Sequence, residues 1–406
     1  MAYKLIEGGG VTTPKGFLAG ACYVGVKSRK SEKPDVAIIY SEQPASCAAM
    51  FTTNKFCAAP VILDREILKK GKARAVVINS GNANAATGEQ GIKDAKTVET
   101  EAEKLLGLGE DEVFVCSTGV IGQKLPVEKV LEGVRRIVPD MSVEKGTDAA
   151  WAIMTTDLVK KEVAYELELS GGTIRIGACA KGSGMIHPNM ATMLAYITTD
   201  AKIDAAVVQP MLKASTDKSF NMMTVDGDTS TNDSLFLLAN GASGVAVETE
   251  ADKAAFAEIL DMICMDMARR IASDGEGATH LMIVEAYGLP TEKDAKLVAR
   301  SIAGSSLFKA ALFGKDANWG RIMAAGYSGA DVDPTKADCI LKSAAGEVVV
   351  MENGFGTDFS EELAKKVLTE HDITVIVNFH SGDGQATAFG CDLTYDYVKI
   401  NGDYRS

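Results

Sequence analysis

The residue best placed to do chemistry is Thr192. It ends the stretch Lys181-Gly182-Ser183-Gly184-Met185-Ile186-His187-Pro188-Asn189-Met190-Ala191-Thr192, and the apolar run Met193-Leu194-Ala195-Tyr196-Ile197 follows at once. Gly182 and Gly184 allow backbone angles that other residues avoid. Pro188 fixes its own φ and pushes His187 out of the helical region. A turn-rich loop therefore delivers a threonine to the first position of an expected buried strand. Two readings stand: an ordinary loop–strand junction with a surface hydroxyl, or a reactive threonine at a strand edge.

The second reading needs a base, because a threonine hydroxyl is a poor nucleophile alone. If threonine becomes the chain's N-terminus, its own α-amine takes the proton. That amine titrates at about 7.7–8.0, near working pH. An internal threonine has no free amine, so the chain must first cut itself before Thr192. The same hydroxyl can attack the Ala191 carbonyl and form an ester that water releases. Small Ala191 and the irregular backbone upstream suit that step.

Other routes to catalysis are poorly supplied. The four histidines, His187, His280, His371 and His380, never fall at the spacing of a helical zinc motif. Lys181 precedes its glycines, so no phosphate-binding loop is formed, and no nucleophile elbow or dinucleotide fingerprint is present. The loop Asp226–Asp233 invites a calcium reading. Its sixth and twelfth positions are Thr231 and Leu237, where that motif wants Gly and Glu. It reads instead as a polar wall or capped turn. No metal or cofactor is expected.

Several elements must position these residues. Val36–Tyr40, Ala48–Thr52, Ala75–Asn79, Ser234–Ala239 and Glu112–Cys116 read as strands. The last runs into Ser117-Thr118-Gly119, a strand end that is either a plain turn or an anion pocket. Helices are expected at Gln90–Leu106, Val127–Val138, Ser142–Met154, Asp204–Ser219, Glu250–Ala272 and Glu292–Gly304. A hairpin joins Val163–Leu169 to Thr173–Ala178 across Gly171-Gly172. Thr155-Thr156-Asp157 is a cap-like cluster. Ser273–His280 is a Gly-rich loop carrying Glu276, and Phe313–Arg321 reads as a polar turn. The last hundred residues read mostly as short strands. Helices and strands alternate in groups, which predicts an α+β layered sandwich rather than a doubly wound parallel sheet.

Composition narrows the class. The chain has 406 residues, 46% of them hydrophobic, and a net charge of −13. That balance supports a sizeable core and argues against a nucleic-acid or membrane-surface binder, which needs a basic patch. None of the eight cysteines forms a Cys-x-x-Cys pair and most lie among small apolar residues, as expected of buried thiols in a reducing compartment. No apolar stretch is long enough to span a membrane, and no secretory signal is read at the start. A cytoplasmic location is expected.

The motif Lys-Gly-Ser-Gly-Met-Ile-x-Pro-Asn-Met-Ala-Thr-Met-Leu at 181–194 resembles the self-cleavage signature of the ornithine acetyltransferases. These are the glutamate N-acetyltransferases of arginine biosynthesis. The resemblance covers essentially the whole chain and includes Asn79–Gly88, Ser117–Gly122, Met154–Asp157, Ser273–Thr279, Phe313–Arg321 and the tail at Ser406.

The resemblance implies an αββα sandwich similar to N-terminal-nucleophile hydrolases but with different connectivity. It implies cleavage between Ala191 and Thr192 into an α chain, 1–191, and a β chain, 192–406, intertwined in one catalytic unit. Two such units pair as an α2β2 heterotetramer. Thr192 takes acetyl from N-acetylornithine, releasing ornithine, and glutamate then leaves as N-acetylglutamate. Thr118 and Gly119 form the oxyanion hole. Thr155, Lys181, Thr192, Glu276, Asn401 and Ser406 contact substrate. Some members also use acetyl-CoA as acetyl donor, and that co-substrate stays open. A related self-processing aminopeptidase or amidohydrolase is the alternative. A binding protein without catalysis has no use for the Ala191–Thr192 junction.

Overall fold

The computed structural model describes residues 3–27, 33–187, 193–326 and 329–403. Two mixed sheets carry the fold. Among the described residues the larger has nine strands. Their order is Tyr3–Leu5, Lys161–Leu169, Gly172–Lys181, Leu194–Thr199, Ser234–Ala239, Val36–Phe51, Lys72–Asn82 and Val113–Val120, with Phe17–Cys22 also paired to Val36–Phe51. The smaller has six, in the order Phe355–Gly356, Gly346–Glu352, Asp338–Ser343, Asp372–Asn378, Leu281–Leu289 and Gly384–Cys391.

Leu194–Thr199 and Ser234–Ala239 lie side by side, parallel, at the middle of the larger sheet. Both are buried at every position, as their nearly continuous apolar runs require of strands covered on both faces. The two-residue period divides them. Ala195, Ile197, Leu235 and Leu237 join one core with helix Glu250–Ser273. Leu194, Tyr196, Phe236 and Leu238 join another with helix Gly146–Ala152.

Helix Glu250–Ser273 sets the position of the second sheet. Thr249 caps it by accepting from the Asp252 N–H at 3.1 Å. Its buried face includes Phe256, Ile259, Leu260, Ile263, Met267 and Ile271. Each such side chain contributes roughly 1.5–3 kcal/mol through burial. The same core takes in Leu281, Phe389 and Cys391 of the smaller sheet. The helix therefore bridges the two sheets, and its C-terminal end carries Asp274 and Glu276 toward the larger one. The opposite face of the smaller sheet packs on Glu292–Gly304, Ser306–Phe313 and Glu361–Val367.

The α+β layered class expected from the sequence is the one adopted, with four local differences. Val36–Tyr40 and Ala48–Thr52 are parts of one strand, Val36–Phe51, whose pairing register shifts between Tyr40 and Ala45. Pro44 sits at that irregularity, where a missing N–H costs no ladder bond. The bulge lets the strand's second half reach Ser234–Ala239. The expected helix Ser142–Met154 is a short 3₁₀ turn followed by Gly146–Ala152. Phe313–Arg321 is a turn only at its centre, since helices Ser306–Phe313 and Trp319–Gly326 take its ends. The last hundred residues also hold more helix than expected, at Glu361–Val367 and Tyr395–Asp403.

No described helix is long and apolar enough to cross a membrane. Six cysteines are buried, while Cys22 and Cys57 are partly exposed. Burial pushes the Cys47 and Cys339 thiols up to about 12, which leaves them unreactive.

Candidate active site

Six of the expected site residues line one small cavity of about 80 Å³: Thr118, Gly119, Thr155, Lys181, Glu276 and Asn401. They come from five separate segments of the chain. Ala191, Thr192 and Ser406, the expected cleavage pair and C-terminal contact, lie outside the described residues.

Thr118 and Gly119 sit where strand Val113–Val120 runs parallel to Lys72–Asn82, with Gly119 opposite Gly81. Gly119 has φ +130°, and a Cβ there would lie 2.4 Å from the Gly81 carbonyl carbon. No other residue fits such a backbone approach. Asn232 holds this corner by donating from Nδ2 to the carbonyls of Ala83 at 2.6 Å and Ser117 at 2.8 Å.

Lys181 ends strand Gly172–Lys181 and is almost fully buried. Its Nζ lies 3.5 Å from Thr118 Oγ1. Burial lowers its pKa, and the Asp157 charge opposes that shift. Lys181 is therefore an ammonium short of solvation, which an incoming carboxylate would stabilise.

Behind Lys181 lies a buried ion network that the cap-like reading of Thr155-Thr156-Asp157 missed. Lys161 Nζ donates to Asp157 Oδ1 at 2.8 Å and to Asp274 Oδ2 at 2.6 Å. Asp157 also accepts from the N–H groups of Gly182 at 2.7 Å and Thr155 at 3.1 Å. Asp274 accepts from the Leu158 N–H at 3.1 Å. Burial alone would raise the Asp157 pKa, but Lys181, Lys161 and these donors outweigh it and hold the carboxyl at about 2. One ammonium and two carboxylates thus clamp together three pocket segments: the Thr155 turn, the Lys181–Gly184 loop and the Asp274–Glu276 loop. The sequence reading gave Lys161 no role and began the nearby strand only at Val163, whereas the structure starts it at Lys161.

Glu276 is the pocket's carboxylate. Its N–H donates to the Ser183 carbonyl at 3.0 Å, and Ser183 Oγ donates to the Asp274 carbonyl at 2.7 Å. Gly184 lies flat against Glu276, where a Cβ would sit 2.4 Å from the carboxyl carbon. The glycine is needed for space as well as for turn geometry. Asn401 Nδ2, from helix Tyr395–Asp403, donates to Glu276 Oε2 at 2.8 Å. Thr394 Oγ1 anchors that helix by donating to the Gly277 carbonyl at 2.7 Å.

The remaining lining includes Ile121, Thr156, Met185, Ser230, Thr231 and Asn232. The polar wall expected of Asp226–Asp233 is thus supplied by its second half. Asp226 faces another way and accepts from the N–H groups of Met185 at 2.6 Å and Ile186 at 2.9 Å. A wider cleft of about 570 Å³ lies elsewhere, near Lys218, Asp261, Glu292 and Lys296. Four of its charged residues are already paired, Lys218 with Asp261 at 2.8 Å and Lys296 with Glu292 at 2.6 Å. The small cavity offers a ligand the Lys181 ammonium and the Glu276 carboxylate together.

Fold and pocket define the class: a layered α+β enzyme whose site suits a small zwitterionic molecule. Comparison with known proteins gives the family. The ArgJ family's sequence profile matches residues 18–406. The arginine biosynthesis bifunctional protein ArgJ of Caldanaerobacter subterraneus subsp. tengcongensis is 51% identical over 401 residues, covering 98% of this chain and 99% of that protein. Its counterpart from Symbiobacterium thermophilum is 50% identical with the same coverage. A crystal structure of the bifunctional ArgJ protein of Bacillus halodurans is 44% identical and covers 52% of this chain and 98% of that one, with a TM-score of 0.48. The chain belongs to the ArgJ family.

Proposed function

We propose that the chain is a glutamate N-acetyltransferase of arginine biosynthesis that works through an acetyl-threonine. The observation that carries this reading is the convergence of Thr118, Gly119, Thr155, Lys181, Glu276 and Asn401 on one cavity. Family membership and the motif at 181–194 supply the nucleophile.

The chain cuts itself between Ala191 and Thr192 into pieces 1–191 and 192–406, which stay together. The freed α-amine then serves as base for the Thr192 hydroxyl, so no cofactor is needed. The hydroxyl attacks the acetyl carbonyl of N-acetylornithine. Thr118 and Gly119 stabilise the oxyanion, a contribution of about a hundred- to a thousandfold in rate. Ornithine leaves, and glutamate attacks the ester to give N-acetylglutamate. Lys181 takes the substrate carboxylate and Glu276 the ammonium. Thr155, Asn401 and Ser406 complete the contacts. Acetyl-CoA as a second acetyl donor accords with the relatives' designation as bifunctional. A cytoplasmic location and α2β2 association complete the reading.

Intact-mass measurement tests it. The active protein should run as two pieces, Thr192→Ala should stay whole, and incubation with N-acetylornithine alone should add one acetyl group to the 192–406 piece. An active wild type in one piece would sink the mechanism. Glutamate with acetyl-CoA, followed for free thiol, tests the second donor.

A further inference from the structure

Glu276, the carboxylate of the pocket, stands between Gly275 and Gly277. Glycine backbone is the least restrained of any residue, so the place of this carboxylate depends on what holds its loop at the two ends. Asp274 holds the upstream end through Lys161. The downstream end is held by Asp392, which the mechanism above does not use. Asp392 directly follows strand Gly384–Cys391 and is 3% exposed.

The Asp392 carboxylate makes four polar contacts, all with two consecutive residues. Its Oδ1 accepts from the N–H groups of Thr279 at 2.8 Å and His280 at 3.0 Å. Its Oδ2 accepts from Thr279 Oγ1 at 2.5 Å and lies 2.9 Å from His280 Nδ1. The Asp392 N–H donates in return to the His280 carbonyl at 3.3 Å. Burial alone would raise the Asp392 pKa, but His280 and the Thr279 donors outweigh it and hold the carboxyl below its ordinary value.

These contacts form the first rung of a short ladder between segments 276–280 and 392–401. Thr394 makes the second rung: its Oγ1 donates to the Gly277 carbonyl at 2.7 Å and accepts from the Tyr397 N–H at 3.3 Å, in the first turn of helix Tyr395–Asp403. Asn401 makes the third, from Nδ2 to Glu276 Oε2 at 2.8 Å. The rung farthest from Glu276 is the one built by Asp392, and it sets the register in which the other two meet. Lys181 and the Thr118–Gly119 corner stand on other strands, Gly172–Lys181 and Val113–Val120.

We propose that Asp392 is a positioning residue for ammonium recognition: it fixes the Glu276 loop against the C-terminal helix, so that Asn401 takes Glu276 Oε2 and Oε1 is presented to the ammonium of the acetyl donor. This rests on the reading of Glu276 as the ammonium contact. N-acetylornithine carries its free ammonium at the end of its side chain. A shift of about 1 Å in a positioned group can cost about a hundredfold, and here the shift would fall on that ammonium while the carboxylate and oxyanion contacts keep their own supports. Loss of Asp392 therefore reads as lost discrimination between donors.

N-acetylnorvaline is the same donor without the side-chain ammonium, so the ratio of kcat/KM for N-acetylornithine to that for N-acetylnorvaline reads the ammonium contact. Asp392→Ala should lower this ratio by about 10-fold or more, with KM for N-acetylornithine rising more than kcat falls. Asp392→Asn keeps an acceptor for the Thr279 and His280 N–H groups and should restore most of the ratio. A folded Asp392→Ala enzyme with an unmoved ratio overturns the inference, because a purely structural role lowers both donors alike. If Asp392→Ala does not fold, Thr279→Val decides. It removes the hydroxyl bond to Oδ2 and should lower the ratio by about threefold, and an unmoved ratio again overturns the inference. Glu276→Gln separates the two readings. A ratio that Glu276→Gln leaves unmoved removes the ammonium contact and this inference together. A ratio that falls in Glu276→Gln but holds in Asp392→Ala removes this inference alone.

Discussion

Asn401 Nδ2 donates to Glu276 Oε2 at 2.8 Å. That bond joins the chain's last described helix to the carboxylate of the pocket, so the C-terminal region belongs to the site. A hydrogen bond to a charged group is worth about 1.5–3 kcal/mol. Asn401→Ala should raise KM for the amino-acid substrate by roughly 10-fold or more while cleavage continues. Deleting Arg405 and Ser406 should lower turnover more than thermal stability. Unchanged kinetics in both would detach the tail from the site.

Lys161 is the hub of the buried network, fully buried and bonded to Asp157 and Asp274. Lys161→Met leaves two buried carboxylates without their cation. Breaking a buried pair from one side costs about 3–5 kcal/mol, and denaturant unfolding should register a loss of that order. Adding Asp274→Asn to Lys161→Met should recover part of it. A single variant as stable as wild type would show that the network does not support the fold.

Two glycines should resist even alanine. In Gly184→Ala the new methyl would meet the Glu276 carboxyl at 2.4 Å. That side chain can move, so the protein should fold with a raised KM. In Gly119→Ala the methyl would meet the Gly81 carbonyl carbon, also at 2.4 Å, with φ at +130°. Backbone cannot swing aside, so the strand ends must part. Loss of one oxyanion donor lowers kcat by roughly a hundred- to a thousandfold. A folded Gly119→Ala enzyme that keeps most of its kcat would exclude that role.

Two acids outside the pocket lining should make stability depend on pH. Asp64 and Glu99 are buried, and Asp64 Oδ2 and Glu99 Oε2 have no hydrogen-bond partner. Burial raises the Glu99 pKa from 4.5 to about 7, against the pull of Lys96 and with help from Glu103 and Asp111. Burial also raises Asp64, and the Glu99 charge adds to that. The folded state binds these protons more tightly than the unfolded chain. Their contribution is therefore complete below about pH 4.5 and lost as pH climbs through about 7. Denaturation midpoints measured from pH 5 to 8 should fall, and Glu99→Gln should flatten the slope. Equal slopes in the two proteins would remove Glu99 as a source.

The local parts of the fold were legible in the sequence because consecutive residues encode them. Ser234–Ala239 and Glu292–Gly304 matched their expected bounds, since an apolar run and a 3.6-residue period are short-range signals. The strand Val36–Phe51 was not, because its unity depends on two different partners pairing with its two halves. Asp233 was noticed only as part of a polar loop. Nothing beside it in the chain announces that its carboxylate reaches back to Met193, 40 positions away.

By itself the sequence determined the types and order of the candidate residues, the adjacent Ala191 and Thr192 among them. Those depend on bonds along the backbone, which order alone specifies. Tertiary structure decided which distant groups meet in the pocket. Lys161 and Asp274, 113 positions apart, become one buried ion pair only once two sheets and a helix exclude water around them. Charge, burial and unmet hydrogen bonds are properties of that enclosure, and they set the electrostatics of the site.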